Sequence, residues 1–111
     1  MQYLVTMEYV DPGPLVPPQQ VGQLVEQVVL PGFEALGKLK AEKKILAGGV
    51  VAGTRTLAFI VDVADNDELD KLLETNPFWG IMKTDATPLQ DFEKRAAQDR
   101  QSLEQLKAAQ Q

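Results

Sequence analysis

The chain predicts an α+β fold, a ferredoxin-like βαββαβ unit with a four-stranded antiparallel sheet and an extra C-terminal helix. Three observations carry this. Residues 2–10 alternate apolar and polar side chains like a half-buried strand. Residues 19–43 place apolar side chains at the three-to-four spacing of a helix. Residues 44–79 then read as strand, glycine turn, strand, helix and return towards a last strand. That order arranges the strands 4-1-3-2, with the helices on one face.

The first strand shows Tyr3, Val5, Met7 and Tyr9 on one side and Gln2, Leu4, Thr6 and Glu8 on the other. Residues 11–18 hold four of the seven prolines and exclude regular structure. They read as a stiff connector or as a lid over a pocket. In the long helix, Pro31-Gly32 predicts a kink or two helices end to end, because proline lacks an N–H and clashes with the preceding turn. The next two runs, 45–52 and 54–63, flank Gly53 as a hairpin. Asp65 and Glu68 have capping-box spacing, Leu69, Leu72 and Leu73 supply an apolar stripe, and Asn76-Pro77 stops that helix. Residues 78–86 read as the last strand. Thr87 and Gln90 frame a second capping box with Pro88 at the first helical position, which predicts a terminal helix over about 88–106. Asp91 with Arg95 and Arg100 with Glu104 stand four apart on it as expected surface pairs.

At 111 residues the chain is long enough for one domain, 1–111, and too short for two cores. Sixteen acidic against eleven basic side chains give a net charge of −5, which argues against a nucleic-acid partner. The basic run from Lys38 to Lys44 is interrupted by Glu42 and reads as a solvated helix end. Cysteine and histidine are both absent, which removes disulfides, thiolate nucleophiles, Ser-His triads and ordinary zinc sites. No spaced acidic motif suggests calcium, so no metal and no cofactor are expected. No leader segment and no membrane-length apolar run precede or interrupt the strands, which sets the cytoplasm as the expected location.

Residues 43–79 carry more than a fold. KKILAGG leading into the second strand, FIVDVADNDELDKLLETNPFW around the second helix, and the Pro88-Leu89 step resemble the muconolactone isomerase-like family of the dimeric α/β-barrel superfamily. Val61-Asp62-Val63, Leu72-Leu73 and Pro77-Phe78 fill its packing and capping positions, over about half the chain. The resemblance implies a dimer and a small-molecule substrate in a cleft between sheet and helices. Family enzymes carry basic side chains, histidine included, on the first strand; Leu4 and Thr6 stand at the matching positions here.

An isomerase of lactones or enols needs a base and a group that stabilises an enolate. The candidates are Glu8 and Asp85 as carboxylates, with Asp62 more simply a strand terminator, and Arg55 or Lys83 as positive charge. Tyr3, Tyr9, Phe33, Phe59 and Trp79 are the expected pocket side chains, each of which serves equally as plain core. Three functions follow. The first is a cofactor-independent isomerase or cyclase acting on a lactone or aromatic/polyketide-like molecule by proton transfer. The second is a non-catalytic ligand-binding or stress-associated protein of the same fold. The third is a cofactor-free monooxygenase, suggested by Asn76 and Trp79.

The second face of the sheet, with Leu4, Thr6, Thr56, Ala58 and Ile60, is small or apolar and predicts a covering partner. A homodimer or higher homo-oligomer is expected, with sheets face to face and the terminal helix over or beside the partner. Covering ~400 Å² of apolar surface would contribute on the order of 10 kcal/mol before ordering costs.

Overall fold

The computed structural model describes residues 1–10 and 18–110. The connector expected at 11–18 falls, apart from Pro18, outside the described residues. Strand β1 (Gln2–Tyr9) leads to helix α1 (Pro18–Leu24), a π-helical turn (Val25–Val29) and α2 (Leu30–Ala41). Strands β2 (Ile45–Val50) and β3 (Thr56–Asp62) form the hairpin, followed by α3 (Asn66–Glu74) and a 3-10 turn (Pro77–Gly80). Strand β4 (Met82–Leu89) and α4 (Phe92–Ala109) complete the chain. The sheet is antiparallel with order β2-β3-β1-β4, the predicted 4-1-3-2 arrangement.

The alternation in β1 does what its chemistry requires. Tyr3, Val5 and Met7 are buried beneath the helices with Leu57, Phe59 and Val61 of the neighbouring strand. Leu69, Leu73 and Phe78 close this core from above. Leu4 pairs across from Ile60, and Thr6 from Ala58, on the opposite face, which no helix among the described residues covers.

Local chemistry sets the boundaries. Asp65 caps α3, its Oδ1 accepting from the Glu68 N–H at 2.9 Å. Glu68 returns not to Asp65 but one residue further, where its Oε2 accepts from the Ala64 N–H at 2.7 Å. Its other oxygen pairs with Lys44 Nζ at 2.5 Å. Helix α2 ends in a Schellman motif: the Lys44 N–H donates to the Leu39 carbonyl and the Lys43 N–H to that of Lys40. Lys43 takes the left-handed conformation at φ 62° that glycine usually fills. Gly48, at φ 145°, passes so near β3 that a Cβ would lie 2.4 Å from Phe59 Cβ.

Four expectations are corrected. Phe78 and Trp79 belong to the 3-10 turn rather than to a strand, because Asn76 Oδ1 accepts from the Phe78 N–H at 2.8 Å and Phe78 is drawn into the core. Strand β4 therefore begins at Met82 and continues through Pro88 to Leu89. It is an edge strand, where a residue without an N–H is tolerated. No capping box forms at Thr87; α4 starts at Phe92 after Asp91 and runs to Ala109. Its ion pair joins Arg95 to Asp99 at 3.3 Å instead of the two expected pairs. Lastly, the interruption before Pro31 takes the form of the π turn, in which the Leu30 N–H reaches back to the Val25 carbonyl.

Helix α4 has no buried residue, and Phe92 at its start is 92% exposed. The molecule is 73 Å long with a radius of gyration of 19.4 Å. A compact chain of this length has a radius of about 13 Å. The excess is the terminal helix.

Candidate functional site

A cleft of about 470 Å³ opens between the helical layer and one end of the sheet. One wall comes from α1, the π turn and α2, which contribute Val21, Val25, Val29 and Phe33. These residues stand four apart. In an unbroken α-helix, positions four apart drift about 40° per step, so such a row would wind off the cleft. The π turn holds one extra residue per turn and sets that drift back. It thereby keeps the four side chains in one line.

The floor is Leu57 from β3 and Phe78 from the 3-10 turn, both buried, with Phe33 meeting Phe78 edge to face at a centroid distance of 5.2 Å. Polar groups enter from one side. Tyr9 ends β1, and Arg55 lies in the β2–β3 turn with its guanidinium carbon 5.4 Å from the Tyr9 ring centroid. That distance is within cation–π range. The turn is built to hold this position. The Thr54 hydroxyl donates to the Val51 carbonyl at 2.8 Å and accepts from the Thr56 N–H at 3.1 Å. Gly53 supplies the left-handed corner at φ 76°. The Tyr9 N–H donates to the Arg55 carbonyl at 3.2 Å, tying turn to strand.

The remaining sequence candidates lie elsewhere. Glu8 and Asp85 point to the opposite face of the sheet, paired in register with Thr56 and Lys83 and with Thr6 respectively. Sheet parity separates them from Arg55. Asp62 sits at the far end of β3, 3.5 Å from the Met1 ammonium. Tyr3 is in the core, its hydroxyl donating to Asn66 Oδ1. Phe59 lines a separate crevice of about 190 Å³ between α2 and β2. Trp79 is 41% exposed and, like Asn76, does not line the large cleft. Among the described lining residues there is no carboxylate, and Arg55 is the one charged group.

The shortest ion pair among the described residues is away from this cleft. The Lys44 ammonium, bonded to Glu68, holds that carboxyl below the usual range, and Glu68 in turn holds Lys44 above its own. Among the described residues no group of three or more acidic side chains is placed to hold a metal ion. No described helix is long and apolar enough to cross a membrane.

Sequence reasoning missed the helical wall. Val21 and Val25 were legible as one apolar stripe, but not as facing a space instead of the core.

Comparison with solved structures gives the fold a second footing. A crystal structure of muconolactone isomerase superposes with a TM-score of 0.67 at 20% identity, over 82% of this chain and 90% of that one. The 5-chloro-2-hydroxyhydroquinone dehydrochlorinase of Burkholderia phenoliruptrix, complexed with 2,5-dihydroxybenzoquinone, superposes with a TM-score of 0.57 at 20% identity. That match covers 85% of this chain and 98% of the other. No curated protein matches by sequence. The family model described as muconolactone delta-isomerase matches residues 1–95. That is most of the chain, from β1 into α4, and it settles the family: this chain belongs to the muconolactone delta-isomerase family.

Proposed function

We propose that this chain is a cofactor-independent enzyme, an isomerase or cyclase that moves a proton next to a carbonyl of a lactone or aromatic/polyketide-like molecule. The carrying observation is the apolar cleft into which Tyr9 and Arg55 converge. An apolar site with a few convergent polar groups is the usual form of a small-molecule pocket, and its volume is in the usual range. The family supports the reaction class. One solved neighbour is named for muconolactone and the other for a chlorinated hydroxyhydroquinone.

Within this reading the Tyr9 phenol exchanges a proton with the substrate, and Arg55 supplies positive charge. Incubation with unsaturated lactones and quinols in deuterated water, followed by NMR, tests it. Exchange beside the carbonyl is expected. Tyr9→Phe should lower kcat/KM by about a hundredfold or more, the ordinary worth of a general acid or base. Absence of exchange across the set, or full activity in Tyr9→Phe, would remove the assignment.

The absence of a carboxylate from the described lining favours, as second reading, a non-catalytic ligand-binding protein. Ligands that bind without exchanging would select it. The monooxygenase reading draws no support from this cleft, since Asn76 caps a turn and neither it nor Trp79 is among the lining residues.

The assembly we propose is a homodimer built on the uncovered sheet face. Leu4 is 38% exposed there beside Ile60 and Ala58, and α4 stands off the body with no core of its own. Helices owe most of their stability in proteins to packing. A second copy offers α4 that packing.

A further inference from the structure

We infer that Arg55 reads a carboxylate that the ligand already carries, so that the ligands of this cleft are acids with an extended apolar body. The inference rests on the cleft being the ligand site and assigns Arg55 to ground-state recognition rather than to the proton transfer itself.

Position decides between those two tasks. A group that stabilises charge developing in a transition state works best where water is excluded. Arg55 is exposed, in a turn at the mouth of the cleft, and the surrounding water weakens its field. A permanent anion needs no such seclusion. A guanidinium offers a planar fork that matches a carboxylate with two parallel hydrogen bonds. The Tyr9 ring beneath it and the hydrogen-bonded turn behind it hold that fork in one place. Less side-chain freedom is then lost when the bonds form. Among the described residues Arg55 forms no ion pair, so such a ligand displaces no described partner.

The other end of the ligand follows from the walls. Beyond Arg55 the cleft presents Val25, Val29, Leu57 and Phe78, with no charged group to match a second polar end. A volume of about 470 Å³ suits a body larger than a single ring. One anionic end and one apolar body, joined, describe the class.

Calorimetric titration with 1-naphthoate and with 1-naphthamide, two probes of one shape and different charge, tests this on the full chain. In the wild type the acid should bind about five-fold more tightly, the upper worth of a solvent-exposed ion pair. Arg55→Gln should bring the acid down to the amide's affinity and leave the amide unchanged. Val25→Trp, which fills the cleft, should weaken both. Equal binding of acid and amide in the wild type, or a preference that survives Arg55→Gln, overturns the carboxylate assignment and leaves the cleft reading standing. Failure of both probes to bind, or binding indifferent to Val25→Trp, overturns the cleft reading and this inference with it.

Discussion

The packing of α2 on the 3-10 turn depends on a missing side chain. A Cβ added to Gly32 would meet three ring carbons of Phe78 at 2.5, 2.7 and 2.7 Å. Ordinary carbon contacts lie at about 3.5–4.0 Å, so ring or helix must retreat by roughly 1 Å. Phe78 has little freedom to do so, being fully buried with Phe33 against it. Overpacking of this kind costs about 1–3 kcal/mol, and exchanging glycine for alanine in a helix returns up to about 1 kcal/mol. The net expectation for Gly32→Ala is a loss of about 1–2 kcal/mol, or a Tm lower by roughly 5 °C or more. Gly37 provides the control on the same helix, since a Cβ there meets nothing within 4 Å. Gly37→Ala should therefore stabilise by up to about 1 kcal/mol. Urea and thermal unfolding followed by circular dichroism, at one protomer concentration, measure both. If Gly32→Ala proves as stable as Gly37→Ala, the close approach of Gly32 to Phe78 is not what limits this position.

Other expectations follow from features already described. The wild type should sediment as a dimer at micromolar concentration, and Ile60→Lys should give a monomer or an insoluble chain; a concentration-independent wild-type monomer would rule the sheet-to-sheet arrangement out. Because the Glu68 carboxyl is depressed, its contribution to stability is present above the ordinary carboxylate pKa and lost as pH falls through the folded value. Because Lys44 is raised, its contribution is present below the ordinary lysine pKa and lost as pH rises through the folded value. The Tm difference between wild type and Glu68→Gln should accordingly shrink in acid and again in strong alkali, and a difference flat across pH would show that the pair contributes nothing. Lys43→Gly removes the left-handed strain of a side-chain-bearing residue and should raise stability by about 1 kcal/mol in urea unfolding; an unchanged midpoint would contradict the strain.

Much of the fold was legible because it rests on period. Tyr3, Val5 and Met7 alternate, and Leu69 and Leu73 recur four apart, so burial follows directly from side-chain type. The errors fall where local hydrogen bonds outweigh composition. Phe78-Trp79 has strand-like residues, yet the Asn76 side chain bends the backbone into a turn. Lys43 carries no outward sign of a left-handed cap, because glycine is the usual signal and is absent. The site was half legible. Arg55 and Tyr9 stood out as polar groups on an apolar face, whereas Glu8 and Asp85 were weighed for their chemistry although parity puts them on the other side of the sheet. The valine wall was concealed because the four-residue spacing looks the same whether the helix is regular or carries a π turn.

That turn makes the cleft sensitive to how the helix is wound more than to which aliphatic residue lines it. Replacing Val21 or Val25 by another aliphatic side chain changes the wall's texture and leaves its position alone. Straightening this turn into a regular helix with no residue removed would rotate everything before it by about 100° relative to α2. Val21 would swing off the cleft and its neighbours would take the space, with the sheet beneath unchanged. Removing one residue along with the turn has no such effect, because the eleven regular steps then left between Val21 and Phe33 end about 20° past three full turns and the wall keeps its face.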